Sequence, residues 1–120
     1  MEYLRYIAII ILIALIIIRM MPVKGINHIT TEELKEERKK KDKQFIDVRT
    51  PREFKTQHIQ PFQNIPLNKL GRRAPKELNK NKEIVVLCQT GIRSQRAAKI
   101  LKKKGFTNIT NVRGGISTWS

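Results

Sequence analysis

Apolar residues are distributed in distinct ways along this 120-residue chain. Residues 7–18, IAIIILIALIII, form an unbroken run of twelve, eight of them isoleucine. Beyond residue 25, short apolar runs of strand length alternate with stretches in which apolar side chains recur every three or four positions. The first pattern predicts a helix that is apolar on all faces, and the alternation that follows predicts an α/β domain.

Strands are expected at residues 26–29, 44–48, 64–65, 83–87 and 108–112. The strongest signal is the run Ile84, Val85, Val86 and Leu87, which leaves no polar position and so suits a strand buried on both faces of a parallel sheet. Thr30 or Thr31 can cap a helix that carries Glu33 in its first turn and Leu34 facing inward. Thr50-Pro51-Arg52-Glu53 reads as a capping box with proline at the first helical position. Residues 67–78 are expected to form one or two irregular helical turns, interrupted by Gly71 and Pro75. Ser94, Ala97, Ala98 and Leu101 lie at i, i+3, i+4 and i+7, one face of a helix that ends at Lys102-Lys103-Lys104-Gly105. The expected fold is therefore α/β, with a central, mostly parallel five-stranded sheet flanked by helices. Trp119 is expected to pack near the C-terminus.

As helix, residues 7–18 would cover about 18 Å, short of a hydrocarbon core of about 30 Å. Residues 3–21 would cover about 28 Å, with Arg5 and Arg19 near the ends where their stems can reach the headgroups. Tyr3 and Tyr6 would lie at one interface, and Pro22 would end the helix at the other. The expected organisation is a transmembrane helix over residues 1–21, a linker over 22–25 and one domain over 26–120. A cleaved signal peptide fits less well, since Arg19-Met20-Met21-Pro22-Val23-Lys24 offers no small-residue cleavage site. Arg19, Lys24 and the basic domain outweigh Arg5, which predicts a single-pass protein of the cell membrane with the domain in the cytoplasm.

Charge sharpens this picture. The chain carries 25 Lys and Arg against 10 Asp and Glu, net +15. Leaving out Arg5, Arg19 and Glu2 with the first 21 residues gives 23 basic against 9 acidic side chains, so +14 belongs to the domain. Such an excess raises affinity for any polyanion. With few aromatic residues for base stacking and no nucleic-acid motif, no specific nucleic-acid partner is expected. Anionic lipid headgroups or small anionic substrates explain the same charge. The run EERKKKDK at 36–43 reads as a solvated helix end.

There is one cysteine, Cys88, which excludes an intramolecular disulfide and leaves a buried hydrophobe, a metal ligand or a reactive thiol. Its setting favours the thiol. Cys88-Gln89-Thr90-Gly91-Ile92-Arg93-Ser94 runs from the end of the most apolar strand into a helix. Gly91 permits a tight turn, successive backbone N–H groups can converge on one point, and the helix N-terminus contributes about half a positive charge. A thiolate is stabilised at such a point, and Arg93 adds a planar cationic fork for an anionic substrate. The constellation predicts a nucleophilic thiolate.

The pattern Cys88-x-x-Gly91-x-Arg93-Ser94 resembles the active-site loop of single-domain rhodaneses, thiosulfate sulfurtransferases that carry sulfane sulfur as a cysteine persulfide. Asp47-Val48-Arg49 with Glu53 and Phe54, then His58-Ile59, Asn64-Ile65-Pro66, Gly114-Gly115 and Trp119 match further landmarks of that family in order, across residues 26–120. Gln57 and Gln60-Pro61-Phe62-Gln63 depart from the glycines and the Gly-Ala pair of many members. The resemblance implies that Cys88 takes sulfur from a small anionic donor such as thiosulfate, that the backbone of Gln89, Thr90, Gly91, Ile92, Arg93 and Ser94 cradles the persulfide, and that Arg93 orients the donor. A thiol acceptor, or cyanide in an assay, would then restore Cys88. Neither cofactor nor metal is implied, and a monomer is expected. Asp47 and Arg49 are expected as an ion pair, with Glu53 and His58 in supporting positions.

Two other classes remain. A cysteine phosphatase or arsenate reductase also cradles an oxyanion between Cys and Arg, but with five intervening residues where this chain has four. A binding module docked at the membrane would need neither the cysteine nor the arginine.

Overall fold

A computed structural model describes residues 2–20 and 25–120, with the side chains at 19 and 20 excepted. Helix α1 covers Glu2–Met20. It is followed by β1 (Asn27–Ile29), α2 (Thr31–Glu37), β2 (Gln44–Asp47), α3 (Pro51–Thr56), β3 (Gln63–Asn64), α4 (Leu67–Glu77), β4 (Ile84–Leu87), α5 (Ile92–Lys103), β5 (Ile109–Val112) and a closing 3₁₀ turn at Gly115–Thr118. The five strands form one sheet in the order β1-β5-β4-β2-β3, and every pairing is parallel.

Strand β4 lies at the centre, and its residues alternate between two cores. Ile84, Val86 and Cys88 join Ile46, Leu70, Ala97, Ala98 and Leu101 on the face covered by α4 and α5. Val85 and Leu87 join Leu34, Phe45, Phe62 and Ile116 on the other. A strand apolar at every position is the consequence of burial on both faces. The polar positions of the helices turn outward, and their ends are closed as the residue types require. Thr30 and Thr50 each accept a hydrogen bond from the backbone N–H three residues on, with Glu33 and Glu53 reaching back, so both capping boxes are complete.

The structure corrects the sequence reading at two places. Residues 67–77 form one continuous helix rather than interrupted turns. Pro75 stands on the solvent side, Leu70 and Ala74 pack inside, and Leu78 N–H reaches the Ala74 carbonyl at 2.9 Å, so the ladder resumes past the proline. Gly71 faces α5, where an added Cβ would lie at an ordinary contact distance, 3.5 Å from Ile100 Cγ2.

The second place is the N-terminal segment. The helix forms, yet among the described residues no helix is long and apolar enough to cross a membrane. The transmembrane span expected at residues 1–21 is therefore not supplied by the structure. Its apolar stretch, residues 7–18, matches about 18 Å of the 30 Å of a hydrocarbon core. The described side chains of α1 are all exposed, Ile10 by 64% and Ile18 by 61%. Met21 and residues 22–24 of the expected linker lie outside the described residues.

Candidate active site

Cys88 stands one residue past β4, where the central strand delivers the chain to the C-terminal edge of the sheet. This is the edge at which open parallel sheets place their chemistry. The residue is fully buried. Gly91 adopts φ 105°, a left-handed conformation that lets the chain reverse into α5 at Ile92. The reversal aims the Gly91 N–H at the cysteine sulfur, 2.7 Å away. Of the loop residues expected to form the cradle, Gly91 is the one whose amide meets Sγ. Gln89 and Thr90 form the outer bend and Ile92 is exposed.

Ser94, on the first turn of α5, is buried beneath the sulfur. Its hydroxyl lies 3.4 Å from Cys88 Sγ and donates to the Gly91 carbonyl at 2.9 Å. It also contacts Asn111 Oδ1 of β5. Asn111 in turn meets Nδ1 of His28 at 3.2 Å, so a polar chain leads from the sulfur through the core to an exposed imidazole. Sequence reasoning missed Asn111 and His28. They lie 17 and 66 residues from Ser94 along the chain, and an isolated Asn in a strand gives no local sign of what it faces.

Arg93 is held by a carboxylate. Its guanidinium forms a two-point ion pair with Glu53, Nη1 to Oε1 at 2.6 Å and Nη2 to Oε2 at 2.8 Å. This pair ties the N-terminus of α5 to that of α3 across the mouth of the site. Hydrogen bonding from Arg93 holds the Glu53 carboxyl at about 2, well below the usual range, assisted by the Thr50 backbone and hydroxyl and opposed by partial burial. The same bond raises the Arg93 guanidinium.

Asp47 and Arg49 form a buried ion pair, Oδ2 to Nη2 at 2.8 Å. Arg49 also donates to the Gln57 carbonyl at 2.6 Å, and Asn64 Nδ2 donates to the Asp47 and Arg49 carbonyls at 3.0 and 2.9 Å. These contacts bind the end of β2 to β3 and to the loop after α3. That loop departs from the common sequence pattern but is anchored by Ile59 and Phe62, both buried. His58 is exposed and stacks on Phe54 at 4.2 Å between ring centroids. Among the described residues no cluster could hold a metal ion.

The other wall of the loop comes from the C-terminal turn. Ile116 and Ser117 donate to the Cys88 and Gln89 carbonyls at 2.8 and 3.1 Å. Gly115, at φ 63°, passes so close that an added Cβ would press on both carbonyl oxygens, 2.6 Å from that of Gln89. Trp119 packs on the adjoining core, and Arg38 lies 5.0 Å over its ring. Two cavities flank the loop. One of about 540 Å³ touches it only through Arg93 and lies between the starts of α3 and α4 and the face of α5. The other, of about 290 Å³, is bounded by Thr90, Gly91 and Ile92 themselves.

The model of the rhodanese-like domain matches residues 30–120. The chain is 45% identical over 76 residues to the uncharacterized protein YqhL of Bacillus subtilis, a match covering 63% of this chain and 60% of that one. It is 30% identical over 96 residues to a sulfurtransferase of Allochromatium vinosum, covering 79% of this chain and 89% of the relative. The crystal structure of a rhodanese-like domain protein from Staphylococcus aureus superposes with a TM-score of 0.71 at 32% identity, over 78% of this chain and 91% of that one. With its parallel five-stranded sheet and its cysteine loop at the end of the central strand, the chain belongs to the rhodanese-like domain family, a family of sulfurtransferases and sulfur carriers.

Proposed function

We propose that this protein moves sulfane sulfur from a small anionic donor to a thiol acceptor through a persulfide on Cys88. The observation that carries this reading is the Gly91 N–H directed at Cys88 Sγ at the N-terminus of α5, which stabilises a sulfur anion at that point. With thiosulfate, the Cys88 thiolate attacks the outer sulfur, a new S–S bond forms, and the donor S–S bond breaks with its electron pair leaving on sulfite. An acceptor thiolate then attacks the outer sulfur of the persulfide, and the pair in that bond returns to Cys88. Each half-reaction conserves electrons, so no cofactor is required.

The four residues between Cys88 and Arg93 support this reading over a phosphatase, whose loop sets five between cysteine and arginine and so leaves room for a bound phosphate. The decisive measurement is the intact mass after thiosulfate treatment and removal of excess donor. One added sulfur on the wild type and none on Cys88→Ser is expected. An unmodified wild type, from thiosulfate and from a polysulfide alike, overturns the proposal in favour of a binding module.

Helix α1 belongs to the same reading. Its exposed isoleucines make an apolar surface that water does not favour, and the +14 of the remaining chain suits anionic headgroups. We infer that α1 holds the domain at a lipid bilayer of the cell, with the domain on the cytoplasmic face. Full-length protein is expected to co-sediment with anionic vesicles, and Ile10→Lys with Ile13→Lys to release it. Wild type that stays in the supernatant with both anionic and neutral vesicles refutes the anchor.

A further inference from the structure

With Arg93 neutralised by Glu53, the cation expected to receive the donor is already occupied. The cavity of about 290 Å³ beside the loop supplies another. Its walls include Thr90, Gly91 and Gln95 of the loop and α5, Gly114, and two basic side chains, His28 and Arg113. No residue lining it carries a negative charge. Arg113 is exposed, and among the described residues its guanidinium has no hydrogen bond or ion pair.

The position of Arg113 relative to the cysteine loop is set by backbone, not by a flexible tether. Its N–H donates to the Ile29 carbonyl at 2.7 Å. The residues directly after it approach the loop closely: an added Cβ on Gly91 would lie 3.6 Å from the Gly114 nitrogen, and Ile116 and Ser117 bond to the Cys88 and Gln89 carbonyls. The base of the Arg113 side chain is therefore fixed between β1 and the cysteine loop. A guanidinium so placed offers a planar fork of donors to an oxyanion.

We propose that Arg113, with His28 beside it, is a specificity-determining residue that takes the anionic end of the sulfur donor, the sulfonate-like group that departs as sulfite when the donor is thiosulfate. This inference rests on the sulfurtransferase reading, but its test does not depend on it. Iodoacetate and iodoacetamide alkylate the same thiol, are nearly the same size, and differ by one negative charge. The rate at which each modifies Cys88 in the full-length protein reports whether a cation guides anions to the sulfur.

Relative to wild type, the iodoacetate-to-iodoacetamide rate ratio is expected to fall about threefold in Arg113→Gln, the scale of one exposed ion pair. It falls further in Arg113→Glu, is largely restored in Arg113→Lys, and shrinks toward the Arg113→Gln value as salt is added to the wild type. Iodoacetamide rates stay within about twofold of wild type in all three, which separates charge guidance from damage to the loop. With thiosulfate, Arg113→Gln raises KM more than it lowers kcat. A ratio unchanged in both Arg113→Gln and Arg113→Glu overturns the proposal, even where sulfur transfer proceeds. Absent sulfur transfer with a charge-dependent ratio instead refutes the sulfurtransferase reading and leaves the anion site standing.

Discussion

The Glu53–Arg93 pair lends itself to a quantitative test. Glu53→Gln removes the charge while keeping the residue type that completes a capping box at this helix position, and Arg93→Met keeps the apolar stem while removing the guanidinium. Holding the carboxyl at about 2 rather than 4.5 corresponds to about 3.4 kcal/mol if the whole effect were realised. Both side chains keep 32% of their surface in water, so solvent screening reduces the coupling to about 1 kcal/mol. The carboxyl is depressed in the folded state, so its contribution is complete above the unfolded value and is lost as pH falls through about 2. Urea titrations of wild type, both single variants and the double variant are expected to give a coupling of about 1 kcal/mol at pH 7 and less than half of that at pH 3. Coupling under about 0.3 kcal/mol at pH 7, or undiminished at pH 3, would refute the assignment of this pair as the tie between α3 and α5.

Two glycines give predictions of opposite sign, both read from urea midpoints. Gly115→Ala places a Cβ against the Cys88 and Gln89 carbonyls at a left-handed φ of 63°, and is expected to cost about 2 kcal/mol or more and to change the alkylation rate of Cys88. Gly71→Ala meets Ile100 at an ordinary 3.5 Å inside α4, and is expected to stabilise the domain by about 0.5–1 kcal/mol without altering Cys88 reactivity. A destabilised Gly71→Ala would show that α4 and α5 are packed more closely than these distances allow.

The elements that were legible in the sequence are those whose signals are local. The run Ile84 to Leu87 announces a strand buried on both faces, and the pairs Thr30–Glu33 and Thr50–Glu53 announce helix starts because both partners of each cap lie within one turn. Cys88, Gly91 and Ser94 could be placed in one loop for the same reason. Helix α4 is hidden in the sequence because Gly71 and Pro75 weigh against a helix locally, and only the packing of Leu70 and Ala74 in the core outweighs them.

Local signals along the chain suffice for the order of strands and helices, the caps that start α2 and α3, and the loop that carries the one cysteine. Which charges meet depends on packing. Arg93 pairs with Glu53, 40 residues away. Ser94 reaches His28 through Asn111, while Arg113 enters the wall of a cavity formed by the cysteine loop. Hydrogen bonds and ion pairs act over a few ångströms, so their partners are chosen by how the parallel sheet brings the ends of β1, β2, β4 and β5 to one edge. No spacing along the chain encodes that meeting.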